Sequence, residues 1–193
     1  AVLDHGVKIA DGAPEAIRGA LGLDLSVRRA LPSWEEALRQ SIPLTDAAGI
    51  LVLVNGVVGS TNTRTLDSEE FRGFALSDSL APLVFVNGAD TKSAQMFTLA
   101  HELAHLWLGE SALSDATAAK ASPIDVEQWC NRVAAEVLIP LELFRQIYLP
   151  GAPIDREIQR LAKAFKVSTL VVLRRMFDAG GLARDHFWQL YNA

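Results

Sequence analysis

Two histidines four positions apart, with a glutamate directly after the first, occur in the segment His101-Glu102-Leu103-Ala104-His105. On an α-helix, positions i and i+4 share one face about one turn apart, so both imidazoles can reach a single ion. Zinc takes neutral imidazole nitrogen at about 2.0–2.1 Å, and the intervening glutamate can act as general base on a water at the ion. The alternative is a pair of core histidines bonded to backbone carbonyls, with Glu102 on a solvated stripe. The surrounding residues weigh against it. Met96, Phe97, Leu99, Leu103, Leu106, Trp107 and Leu108 run nearly all the way round the same helix, and three polar side chains on such a helix are costly without a ligand.

A catalytic zinc keeps three protein ligands and an open position for water. A histidine six residues after His105 is one source of the third, but that position is Ser111, and Leu108 stands where that pattern has glycine. Glu127 is the expected third ligand, set in the first turn of a capped helix with Asn131 one turn later on the same face. An ordinary helix-dipole glutamate is the other reading of that position. Asp125 reads as a cap, Glu136 belongs to a later turn, and Glu110 is too close to His105 to fold back. Tyr148, Tyr191, His186, Asn131 and Arg132 are of a type to donate to a developing oxyanion, and the sequence does not choose among them.

These side chains need a scaffold, and the chain supplies recognisable elements for one. Thr91 or Ser93 to Leu108 forms the histidine-bearing helix, stopped by Gly109. Ser122-Pro-Ile-Asp125 is a capping box opening the Glu127 helix, which Pro140 ends. Three β-like segments precede them: Ile50 to Val54, Phe71 to Leu76, and Leu83 to Val86. The continuous apolar runs of the first and third predict central strands, and Arg72 and Gly73 mark the second as an edge, either capped or open to strand addition by a substrate. The first 48 residues read as helices: Pro14 to Leu23, then a capping box at Ser33-Trp-Glu-Glu36 opening a helix that Pro43 ends.

A chain of 193 residues makes roughly one domain of typical size, or one with a small appended module. Half its residues are hydrophobic and a fifth charged, which excludes disorder and low complexity. No apolar run approaches the 18 or so residues of a membrane span, and Ala1-Val-Leu-Asp-His lacks the features of an export signal, so a cytoplasmic location is expected. The single cysteine, Cys130, fits a reducing compartment and reads as a buried small hydrophobe. Beginning on Ala1 rather than Met is equally the mark of ordinary processing and of a piece cut from a longer protein.

A net charge of −5 argues against non-specific nucleic-acid binding by the whole molecule. Between Asp155 and Asp185, however, seven basic residues face four acidic ones. Within that stretch Ile158 to Met176 reads helix, turn, helix, with Leu161-Ala162 packing the first helix and Val167-Ser168 making the turn and cap. Lys166 occupies the place of the tight-turn glycine. DNA contact through residues 156–176, Arg174 and Arg175 above all, is the functional reading of this stretch; a hairpin packed on the domain is the structural one.

Phe97-Thr-Leu-Ala-His-Glu-Leu-Ala-His-Leu-Trp-Leu-Gly109, followed by Val126-Glu-Gln-Trp-Cys-Asn-Arg-Val-Ala-Ala-Glu-Val-Leu-Ile-Pro140, resembles the ImmA/IrrE family of zinc metallopeptidases. Phe71 to Leu76 and Ala81 to Asn87 are similar to the strands before the metal helix in that family, so the resemblance covers roughly residues 45–180. Cys130 and Val133 depart from it where Ala and Phe are common, and neither touches an expected ligand. The resemblance implies a gluzincin-like site: His101, His105 and Glu127 on Zn2+, and Glu102 activating water as the catalytic residue. It also implies a protein substrate, since known members cleave helix-turn-helix repressors of mobile elements or stress regulons.

The expected architecture is thus α+β and zincin-like: a helical segment at 1–48, a metallopeptidase domain with a small twisted sheet at 49–150, and a helical, helix-turn-helix-like subdomain at 151–193. The expected function is a zinc-dependent endopeptidase of narrow specificity acting on a transcriptional repressor. The alternative is a metal-containing regulator or toxin-antitoxin partner that binds DNA or protein without proteolysis.

Overall fold

The computed structural model describes residues 24–59, 63–109 and 123–191, with Pro14 and Arg18 beyond them. The expected helix at Pro14 to Leu23 and the expected cap residue Ser122 fall largely or wholly outside the described residues, as do Glu110, Ser111 and the side chain of Asp125. Helix α1 spans Leu25–Ala30 and is capped by Asp24, whose carboxylate accepts from the Ser26 and Val27 amides.

Helix α2 spans Trp34–Ala47, and Ser33 caps it by accepting from the Glu36 amide at 3.2 Å. Pro43 does not end this helix as the sequence predicts; it lies inside it. Buried Ala37, Leu38, Ser41 and Thr45 form one face that continues across the proline, and this packing outweighs the missing hydrogen bond. Ser41 and Thr45 also bond back to the carbonyls four residues earlier, a pattern that accommodates a bend.

The sheet has three strands, β1 (Leu51–Asn55), β2 (Gly73–Leu76) and β3 (Leu83–Asn87), in the order β1-β3-β2. β1 runs parallel to β3 with Val52 opposite Val84, and β2 runs antiparallel to it with Ala75 opposite Val84. β3 is central and β2 an edge, as expected, but β1 is an edge too. Its apolar run misled because its outward side chains stay uncovered, Leu51 half exposed and Leu53 43% exposed. Val52, Ala75, Val84 and Val86 make the buried face. On the outer face Phe74 stacks on Phe85 with centroids 5.1 Å apart.

Helix α3 spans Lys92–Leu108 and packs against β2, β3 and α2 on the buried side of the sheet. Thr91 caps its start and Gly109, at φ 70°, its end. Its N-terminus is fixed by a wholly buried Gln95, whose amide donates to the carbonyls of Gly88 (3.1 Å) and Asp90 (2.6 Å). Asn87, also buried, donates to the Phe71 carbonyl at 3.0 Å, so the loop into α3 is tied to the approach to β2.

Helix α4 (Pro123–Leu138) packs on α3, and α5 (Leu141–Ile147) follows the Pro140 turn. α6 (Ile154–Phe165) and α7 (Thr169–Asp178) form the expected helix-turn-helix, with Lys166 in the left-handed conformation at φ 56° and Ser168 capping α7. α8 (Arg184–Tyr191) packs on α7, within the stretch expected to be helical but beyond its helix-turn-helix. One apolar cluster runs from Ala37 on α2 through the sheet, α3 and α4 to Leu161, Phe165 and Met176. The fold is α+β. No helix among the described residues is long and apolar enough to cross a membrane.

Candidate metal centre

α3 carries His101 and His105 on one face, and α4 lies against that face so that Glu127, in its first turns, meets both rings. The two Nε2 atoms are 3.1 Å apart. Glu127 straddles them, with Oε2 at 3.2 Å from His101 Nε2 and Oε1 at 3.2 Å from His105 Nε2. One donor atom from each of the three side chains lies within 4.8 Å of the others. The structure therefore brings together the three residues that spacing and resemblance predicted as ligands.

The donor set fits a zinc-sized cation. Ligand atoms around a tetrahedral ion with bonds of about 2.0–2.1 Å stand about 3.3 Å apart, and the separations here are 3.1–3.2 Å. The protonation state fits as well. Burial, and then the neighbouring His105, hold the His101 imidazole below its usual value, against the opposing pull of Glu127 and of Asn131 beside it. A neutral ring is the form that ligates a metal. Two imidazoles and a carboxylate make a borderline donor set that suits zinc better than magnesium or calcium. His105 is buried, while the Glu127 side chain is 54% exposed, so the cluster opens on its carboxylate side.

Glu102 points to the same region from one residue along α3. It is 6% exposed, and its Oε2 has no hydrogen-bond partner among the described residues. Burial, and then the nearby Glu127 carboxylate, push its carboxyl up to about 8. A buried carboxyl with an orphaned oxygen beside convergent donor atoms is a candidate for proton transfer. β2 presses directly on it. A Cβ built on Gly73 would stand 3.4 Å from Glu102 Cγ, 2.5 Å from Thr98 Cγ2 and 2.7 Å from the Phe85 carbonyl oxygen. Nothing in the spacing of the sequence announced this contact.

Of the candidate oxyanion donors, Asn131 adjoins His101, and Asn131, Arg132 and Tyr191 line a cleft of about 810 Å³ that begins one turn from the cluster. Tyr148 instead stacks on Phe144 and packs against Gly181, and His186 is exposed on α8. Cys130 is fully buried. In the stretch 156–176, Arg160 is bound to Glu157 at 2.6 Å, Arg174 to Asp178 at 2.9 Å, and Arg175 to Glu136 at 2.7 Å. Arg175 and Lys166 are buried, so much of the positive charge that a phosphate backbone would need is committed inside the protein.

The fold and this site place the chain in a class. It belongs to the IrrE N-terminal-like domain family of peptidases, whose profile matches residues 47–177, from the end of α2 to the last turn of α7. Over 91 residues it is 32% identical to the radiation response metalloprotease IrrE of Deinococcus radiodurans, a match covering 45% of this chain and 28% of that protein. The alignment thus spans little more than a quarter of the relative's length. No protein of solved structure matches the chain.

Proposed function

We propose that this chain is a zinc-dependent endopeptidase with a zincin-like site, in which His101, His105 and Glu127 are the metal ligands and Glu102 is the general base. The observation that carries the proposal is the meeting of two Nε2 atoms and one carboxylate at 3.1–3.2 Å, from two separate helices. Zinc, when bound there, supplies Lewis-acid polarisation of a carbonyl and lowers the pKa of water towards about 7. The chain's own residues do the rest. Glu102 takes the proton from the attacking water as the new C–O bond forms, then returns it to the amine as the C–N bond breaks. The apolar residues around α3 keep this carboxylate out of bulk water, which strengthens its interaction with the reacting atoms. The outer edge of β2, which has no strand partner among the described residues, offers backbone groups to an extended substrate segment beside Glu102.

The substrate in this reading is a helix-turn-helix repressor in a stress or mobile-element circuit. The family resemblance supports it, as does the radiation response in the name of the Deinococcus relative. A cytoplasmic location accompanies it, consistent with a chain that carries a single cysteine. The test is Glu102→Gln, scored for both zinc content and cleavage of helix-turn-helix repressors from the organism that encodes this protein. A peptidase retains stoichiometric zinc and loses cleavage by at least about a hundredfold. Full cleavage by the variant, or no zinc in the wild-type protein, overturns the proposal.

A further inference from the structure

The cleft beside the cluster has no place in the chemistry described so far. Its volume is about 810 Å³, well within the range of ligand-binding cavities. α3 and α4 form one wall and α7 and α8 the other. It starts at Phe97 and Asn131, each one helical turn from a metal-site residue, His101 and Glu127 respectively. The Phe97 ring centroid is 6.2 Å from that of His101, so the cleft and the cluster share a border. The far wall offers Trp188 and Tyr191, each nearly half exposed, with ring centroids 5.5 Å apart. Large aromatic surfaces left open to water at the mouth of a concave site are the usual anchors for an incoming chain.

The charges in the cleft are not balanced. Asp178 is neutralised by Arg174 at 2.9 Å and Arg175 at 3.2 Å, whereas Asp90 accepts from the Thr91 amide through Oδ1 and keeps a buried Oδ2 without a hydrogen-bond partner among the described residues, which sets one carboxylate against the remaining arginines. Arg72, beside Gly73 at the start of β2, and Arg132, one residue past Asn131, both line the cleft, are exposed, and have no ion pair among the described residues. Two guanidiniums with no ion pair among the described residues thus line the cavity of a protein whose net charge is −5. Guanidinium forks match a carboxylate in geometry as well as in sign.

We propose that this cleft receives the polypeptide substrate on one side of the bond to be cut, and that Arg72 and Arg132 select an acidic side chain there, with Trp188 and Tyr191 holding an apolar neighbour. The inference rests on the peptidase reading, because it takes the cleft and the cluster as parts of one substrate channel. Arg72 and Arg132 are specificity-determining residues in this arrangement, set about a turn or more from the reacting atoms.

The experiment is binding to the zinc-loaded Glu102→Gln protein, which holds substrate without cutting it. The probes are fluorescent degenerate decapeptides with one fixed Glu, each matched to the same library with Gln at that position. The expected result is binding at least about tenfold tighter for Glu at one register. That preference should vanish when Arg72→Gln and Arg132→Gln are added, and return in part when both are lysine. Trp188 fluorescence should shift on binding of the Glu peptides and not in the arginine variants. A preference below about twofold, or one that survives loss of both arginines, overturns the proposal. Cleavage of helix-turn-helix repressors by the wild-type protein is scored separately. Cleavage without acidic preference sinks the cleft assignment and leaves the peptidase standing, whereas acidic preference without cleavage leaves a peptide-binding cleft but sinks the peptidase and, with it, the cleft's place in a substrate channel.

Discussion

Gly73 lies so close to Glu102 that a single added methyl group would touch the Glu102 side chain. The methyl would sit 3.4 Å from Glu102 Cγ but only 2.5 Å from Thr98 Cγ2 and 2.7 Å from the Phe85 carbonyl oxygen. The last of these is backbone of the central strand and cannot move aside cheaply. Gly73→Ala therefore forces β2 away from α3 and releases the restraint on Glu102. The expected cost is about 1–3 kcal/mol of stability, together with a fall in kcat larger than any change in zinc affinity. Urea denaturation, zinc titration and steady-state kinetics on one preparation check it; unchanged stability and unchanged kcat count against the contact.

Glu102 also makes the metal-free protein sensitive to pH. Its carboxyl stands at about 8 in the fold, against 4.5 for the unburied group, because burial and Glu127 disfavour its ionised form. Between those values the folded chain holds a proton that the unfolded chain has released, so stability falls as pH rises through the window and levels off above about 8. Glu102→Gln removes the dependence. The variant should match the wild type near pH 4.5 and become progressively more stable than it towards pH 8, in thermal melts recorded in chelator. A bound dication lowers the same carboxyl, so zinc should narrow the difference.

The parts of this molecule that its sequence discloses are those fixed by local spacing. The His101 to His105 interval, the Thr91 cap, the Gly109 stop and the Ser168 cap each concern residues within a turn or two, and each has the predicted form. Long-range packing decides what was missed. Pro43 stays helical because Ala37, Leu38 and Thr45 bury one face across it. β1 reads as central because apolar side chains on both faces look the same whether the outer one is covered or open. Glu127 is reached from the need for an acidic residue to complete a two-histidine set and from the family resemblance, not from any signal at its own position. The press of Gly73 on Glu102 and the cleft walls at Phe97 and Tyr191 join residues tens of positions apart, for which no periodicity exists.

Zinc should stabilise the protein, and by an amount that reports its ligands. With free zinc at a hundred times Kd, binding adds about 2.7 kcal/mol, which for a chain of this size raises Tm by roughly 5–10 °C. Glu127→Ala leaves two imidazoles and should lose most of that rise; His105→Ala should lose all of it. Glu102→Gln should keep most of it, losing only the share that zinc gains from the Glu102 charge, since in the proposed site this carboxylate is a base and not a ligand. Differential scanning calorimetry with and without zinc separates the cases. A full rise in Glu127→Ala would remove Glu127 from the ligand set.

Arg175 offers the sharpest test of what the C-terminal charges do. It is 4% exposed, bridges Glu136 on α4 at 2.7 Å and Asp178 on its own helix at 3.2 Å, and so joins α4, which carries Glu127, to the helix-turn-helix. Burial favours its neutral form, and the two carboxylates compensate. Removing it strands those carboxylates in part: Glu136 still accepts from the Leu141 amide at 3.1 Å and Asp178 keeps Arg174. Arg175→Ala should therefore cost about 3 kcal/mol, the lower end of the range for breaking a buried pair. Arg174→Ala, with its half-exposed ion pair, should cost well under 1 kcal/mol. If the two arginines instead serve a phosphate backbone, neither change should alter urea midpoints much and both should abolish a salt-dependent DNA shift. A large loss of stability confined to Arg175, with zinc affinity unchanged, identifies this cation as a clamp between α4 and α7.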